Sequence, residues 1–148
     1  MNAGVKLIFL DVDGVLHSGT SGTCVRLPDF EAFLRAHPEL RVVWSSTWRL
    51  DYSFDYLLSM VEPDVRGQFI GVTPFLPEAT RNVREAEIAF WLSVNNASRF
   101  PWVALDDDAA LFSPHCANLV LCQSVRGLRT AQLDQICLKL GLTSGRIA

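Results

Sequence analysis

The sequence predicts a three-layer α/β architecture, a parallel sheet of about five strands with helices on both faces, and three observations carry that expectation. Five short apolar segments, near residues 6–12, 41–46, 68–72, 102–106 and 118–122, alternate with segments of helical periodicity near 29–36, 51–61, 80–94 and 130–140. Such alternation is the pattern of right-handed parallel sheets. The first segment is a continuous apolar run closed by a Gly-containing turn, as expected of a strand covered on both sides. Hydrophobic residues make up 49% of the chain and mean hydropathy is +0.21, which double burial of a sheet requires.

Taken in order, the first run, Lys6 to Leu10, ends in Asp11-Val12-Asp13-Gly14. In parallel sheets ligands bind beyond the carboxyl ends of strands, so Asp11 is expected in a crevice. If the strand continues, alternation puts Asp11 and Asp13 on one face, where they can share a cation or a phosphoryl group. The plainer reading is an Asp-Gly turn after a strand-capping Asp11. Arg41 to Trp44 forms a second strand ending in Ser45-Ser46-Thr47. A one-residue slip exchanges which hydroxyl faces the crevice; Ser45 is favoured and Ser46 is the alternative. In the helix of 80–94, Ile88, Trp91 and Leu92 share a face, and Arg84 lies one turn upstream on that side, within reach of the sheet. Arg81 competes with it, although solvent is the ordinary place for an arginine. Trp102 to Leu105 is a further strand, ending in Asp106-Asp107-Asp108, of which Asp108 reads as a helix N-terminal or solvated carboxylate. The last helix carries Leu133, Ile136, Cys137 and Leu140 at helical spacing and stops at Gly141. Two acidic strand tips, a hydroxyl tip and one cation make a metal-plus-phosphate constellation. Trp44, Trp48, Trp91 and Trp102 are read as core residues in preference to base-stacking ones. Arg49 is placed either at the crevice rim, touching substrate, or in an exposed salt bridge.

Asp11-x-Asp13, the Ser45 tip, Arg84 and the Asp106-Asp107 pair, in that order over residues 6 to 108, resemble the four motifs of the haloacid dehalogenase (HAD) superfamily. The wording Val42 to Arg49, Arg84 to Leu92 and Ala104 to Asp107 is most similar to the small HAD domains associated with bacterial RNA-repair proteins. The resemblance implies an HAD core with minimal cap, its first and fourth strands adjacent at the centre. It also implies phosphomonoester hydrolysis through an aspartyl-phosphate. Asp11 is then the nucleophile and Asp13 the general acid/base. Ser45 or Ser46 binds the phosphoryl group, and Arg84 balances charge. A divalent cation, Mg2+ by its preference for oxygen, would be held by Asp11, the Asp13 carbonyl and Asp107, with Asp106 acting through water or by orienting the others. The gaps between motifs, including the segment from His17 to Cys24, leave no room for a cap domain, which implies an open site and a bulky or polymer-linked phosphorylated substrate, or a partner that closes the crevice.

At 148 residues the chain is expected to form a single domain over 1–148 that buries roughly 70% of its unfolded surface. No apolar run approaches the ~20 residues of a membrane span, and the N-terminus lacks a signal-peptide pattern, so no membrane association and a cytoplasmic location are expected. A formal charge of −3 gives nucleic-acid binding no electrostatic support. Cys24, Cys116, Cys122 and Cys137 form no Cys-x-x-Cys pair, and His17, His37 and His115 are scattered, which argues against zinc. Reduced thiols are expected, with Cys122 and Cys137 in the core. A metal- or phosphate-binding regulatory module without turnover is the alternative function. A signalling receiver domain is disfavoured because its acidic pair belongs near the first strand. A dehalogenase is disfavoured by Asp13, the acid/base that ester cleavage needs.

Overall fold

In a computed structural model, which describes residues 1–17 and 24–143, the chain forms a five-stranded parallel sheet. The elements in chain order are β1 (Lys6–Leu10), α1 (Leu27–Ala36), β2 (Leu40–Trp44), α2 (Trp48–Asp51), α3 (Phe54–Ser59), β3 (Phe69–Val72), α4 (Val83–Val94), β4 (Trp102–Asp106), β5 (Leu119–Leu121) and α5 (Thr130–Leu140), with 3-10 turns at Pro63–Gln68 and Ala109–Leu111. The strand order is β3-β2-β1-β4-β5. β1 and β4 are therefore neighbours at the centre, as the resemblance implied, and their carboxyl ends open at the same edge.

β1 shows why both faces are covered. Ile8 and Leu10 join one apolar cluster with Phe30, Leu34 and Ile136, residues of α1 and α5, whereas Leu7 and Phe9 join a second with Ile88, Trp91 and Leu92 of α4. All four strand residues are fully buried, each worth about 1.5–3 kcal/mol of transfer free energy. Among the described residues no helix is long and apolar enough to cross a membrane.

The expected boundaries move for local reasons. The helix expected over 51–61 is two: Tyr52 is extended, and Ser53 caps α3 by accepting a hydrogen bond from the Tyr56 amide at 3.1 Å. The helix expected from residue 80 starts at Val83, because Asn82 has left-handed φ of 50°. Most consequentially, β1 stops at Leu10 and not at residue 12. Val12 O accepts from Val15 N and Leu16 N, a single turn that requires φ of +74° at Gly14. Cys122 is in the core as expected; Cys137 is only half-buried. Between Ser45 and Arg84 the chain builds only α2, α3, a 3-10 turn and β3. The other expected gap, between His17 and Cys24, falls on residues 18–23, outside the described residues.

Candidate active site

Three carboxylates meet at the centre of the carboxyl edge. Asp11 follows β1, Asp106 ends β4 and Asp107 follows it, and one oxygen from each lies within 4.8 Å of the others. Parallel pairing places them there: the Asp11 amide donates to Leu105 O at 3.0 Å, extending the β1–β4 ladder by one residue past Leu10. Asp11 and Asp106 are buried. Asp11 Oδ1 accepts from the Val12 amide at 2.9 Å, Asp106 Oδ1 from the Asp108 amide at 3.0 Å, and Asp107 Oδ2 from Ser124 Oγ at 2.7 Å. Gly14 makes room for this packing, since a Cβ there would collide with the Asp107 carboxylate.

Arg84 is buried at the start of α4 and reaches back as its spacing suggested. Its Nε lies 3.6 Å from Asp106 Oδ2, and it donates to the Ser45 carbonyl. One guanidinium does not balance the cluster. Burial first, and the Asp106 charge second, push the Asp11 carboxyl up to about 9 against the pull of Arg84; burial pushes Asp106 up to about 6.

The hydroxyl question has a geometric answer. Ser46 Oγ accepts from the Trp48 amide at 3.2 Å, whereas among the described residues buried Ser45 Oγ has no hydrogen-bond partner, nor does Arg84 Nε, which stands 3.6 Å from Asp106 Oδ2. Polar groups buried without partners are uncommon, and Trp44 Nε1 is a third among the described residues. Among the described residues Ser45 Oγ is thus the strand-tip hydroxyl with neither donor nor acceptor role filled, whereas Ser46, as an acceptor only, keeps its own O–H.

Two expected residues sit elsewhere. Arg49 occupies neither the rim nor an exposed salt bridge. Its side chain is 4% exposed and donates to Thr73 O, Ser46 O, Pro74 O and Glu87 Oε2 at 2.7–3.1 Å, so nearly all its donors are spent inside the protein. Asp13 does not share the carboxylate cluster. With β1 ended at Leu10 the period-two argument lapses, and Asp13 Oδ1 instead meets His17 Nε2 at 2.8 Å and Trp48 Nε1 at 3.1 Å. Arg81 is exposed, and Asp108 accepts from the Ala110 amide, capping the following 3-10 turn.

Sequence reasoning missed His17, Glu87 and Ser124. The Asp13/His17 spacing of four was the available signal for the first; Glu87, one helical turn after Arg84 in α4, was the signal for the second. Nothing local marked Ser124. Trp48, taken for core, is half-buried beside Asp13.

The site suits a hard divalent cation on its own chemistry. Its donors are all oxygen, its carboxylates outnumber the cations around them, and burial with the Asp106 charge raises the Asp11 carboxyl, a penalty that added positive charge would relieve. A family model described as HAD domain in Swiss Army Knife RNA repair proteins matches residues 7–133. No curated protein and no solved structure matches the chain.

Proposed function

This chain belongs to the family of HAD domains in Swiss Army Knife RNA repair proteins, and on that premise we propose that it is a Mg2+-dependent phosphohydrolase that cleaves a phosphomonoester through an aspartyl-phosphate. The carrying observation is the convergence of Asp11, Asp106 and Asp107 at the strand tips, with Arg84 3.6 Å from Asp106, together with a Ser45 hydroxyl that has no hydrogen-bond partner among the described residues. An acidic cluster alone would repel phosphate. A guanidinium and a hydroxyl donor at the same strand tips favour an anion once the carboxylates are neutralised.

In this reading Asp11 attacks phosphorus in line. Its new P–O bond forms as the ester P–O bond breaks, and Asp13 delivers a proton to the departing oxygen. Asp13 then takes a proton from the water that attacks the aspartyl-phosphate, which restores Asp11 and frees inorganic phosphate. Ser45 donates to a non-bridging oxygen, and Arg84 supports the charge that builds there. Asp11, Asp107 and the Asp13 carbonyl would hold the cation, with Asp106 beside them. Bound there, Mg2+ supplies the charge that keeps Asp11 ionised and offsets its repulsion from an anionic substrate.

The short connections between β2 and α4 support an open site and a bulky or polymer-linked substrate. The family's place in RNA repair proteins favours a nucleic-acid-linked phosphate. With a formal charge of −3, recognition then falls on the crevice and not on a general attraction for polyanions.

An aryl phosphate assay with Mg2+, repeated in excess chelator, tests the reading. Turnover should require the metal, and Asp11→Asn should lower it at least about a thousandfold, as loss of a nucleophile does, and abolish covalent phosphorylation. Full activity in chelator, or in Asp11→Asn, would refute it. Mg2+ binding without any turnover would support the regulatory-module alternative.

A further inference from the structure

We propose that His17 and Trp48 are positioning residues that hold Asp13 by one carboxylate oxygen, so that the proton it gives and takes is carried by the other. The inference rests on the phosphohydrolase reading of the site.

The clamp is built by the turn after β1. Val12 O accepts from Val15 N at 3.2 Å and from Leu16 N at 2.9 Å, and this single turn brings His17 back onto Asp13, with a backbone bridge between the two. The His17 side chain is 2% exposed whereas that of Asp13 is 49% exposed. The imidazole is thus the fixed body, and the carboxylate is the group being held.

Both contacts fall on the same atom. Asp13 Oδ1 lies 2.8 Å from His17 Nε2 and 3.1 Å from Trp48 Nε1. An indole N–H can only donate. In the tautomer that presents Nε2–H, the imidazole is a second donor to Oδ1, and Oδ2 is the oxygen these two contacts leave open. Trp48 is itself held: its amide donates to Ser46 Oγ at 3.2 Å, and its ring packs 6.1 Å from that of His17 and 5.4 Å from that of Tyr52. The indole therefore ties the acid/base to the loop that carries Ser45. The same clamp keeps the Asp13 carboxylate out of the Asp11–Asp106–Asp107 cluster, where a bound cation would compete for it.

General acid catalysis contributes about 10²–10⁴ in rate, and it matters most when the departing oxygen is strongly basic. A loosened Asp13 should therefore harm poor leaving groups selectively, whereas damage to the fold or to phosphate binding would harm all substrates alike. The test measures kcat/KM with Mg2+ over a series of aryl and alkyl phosphates of increasing leaving-group basicity. It compares wild type with Trp48→Phe, His17→Leu and His17→Gln. For Trp48→Phe and His17→Leu the loss should grow at least about tenfold from the best to the poorest leaving group. His17→Gln, which keeps an N–H donor, should recover most of that loss. Trp48→Phe keeps the test decisive if the buried His17→Leu change prevents folding. A constant loss across the series, or none, would overturn the clamp while leaving the phosphohydrolase reading intact. Wild type that turns over no member of the series would overturn both.

Discussion

Arg84 stands between two groups of buried charges that are built on opposite terms. On one side Arg49 and Glu87 are matched. The guanidinium meets the carboxylate at 2.8 Å and three backbone carbonyls besides, and Glu87 Oε2 also accepts from the Leu76 amide. On the other side Asp11, Asp106 and Asp107 face Arg84 across 3.6 Å at the nearest, and two of the three carboxyls are pushed far above their ordinary range. Asp11 and Asp106 are as buried as Glu87 and the Arg49 side chain, and Asp107 is less so. What differs is pairing, and pairing separates a structural network from a site that needs a ligand.

Glu87 is where loss of pairing has the largest expected effect. Glu87→Ala leaves Arg49 buried and short of the one carboxylate it pairs with among the described residues, a change that costs about 3–5 kcal/mol when a buried pair loses one member. The three carbonyls that Arg49 retains put the expectation at the lower end, about 3 kcal/mol, read by denaturant unfolding of the metal-free protein. A loss below about 1 kcal/mol would mean that the pair behaves as a surface one and that pairing does not distinguish the two groups.

A smaller effect sharpens the acidic side. Gly14→Ala imposes a left-handed φ on a residue with a Cβ, costing about 1–2 kcal/mol, and that Cβ must drive the half-exposed Asp107 carboxylate aside. Stability should fall modestly, and the response of the melting temperature to Mg2+ should fall with it. A variant with an undiminished Mg2+ response would show that Gly14 does not seat Asp107.

Much of this arrangement was readable from one strand. An apolar run that ends in Asp11, and another that ends in Asp106-Asp107, place charge at strand tips because a buried parallel strand has nowhere else to put it. Arg84 was legible from the apolar face of its helix. Asp13 was not. Alternation assumes that the strand continues, and the turn at Gly14 ends it two residues early. The same turn makes His17 a neighbour of Asp13, a contact that no count of scattered histidines reveals. Arg49 and Glu87 were opaque for a different reason, because each alone looks like an ordinary solvated residue. Only the fold of α2 against α4 brings the two together. Ser124 reaches Asp107 from beyond β5, a contact set by sheet order and not by sequence distance.

The central claim, that the carboxylate cluster is completed by a divalent cation, is tested most directly by melting curves across a Mg2+ titration at fixed ionic strength, for wild type and Asp107→Ala. A cation that binds only the folded chain adds RT ln(1 + [L]/Kd), about 2.7 kcal/mol at a hundredfold excess over Kd. The wild-type midpoint should climb accordingly. Asp107→Ala should begin slightly higher in chelator, relieved of one like charge beside Asp11 and Asp106, and should climb less. Equal responses in the two proteins would remove Asp107 from the metal site, and no response in wild type would contradict the cation-completed site itself.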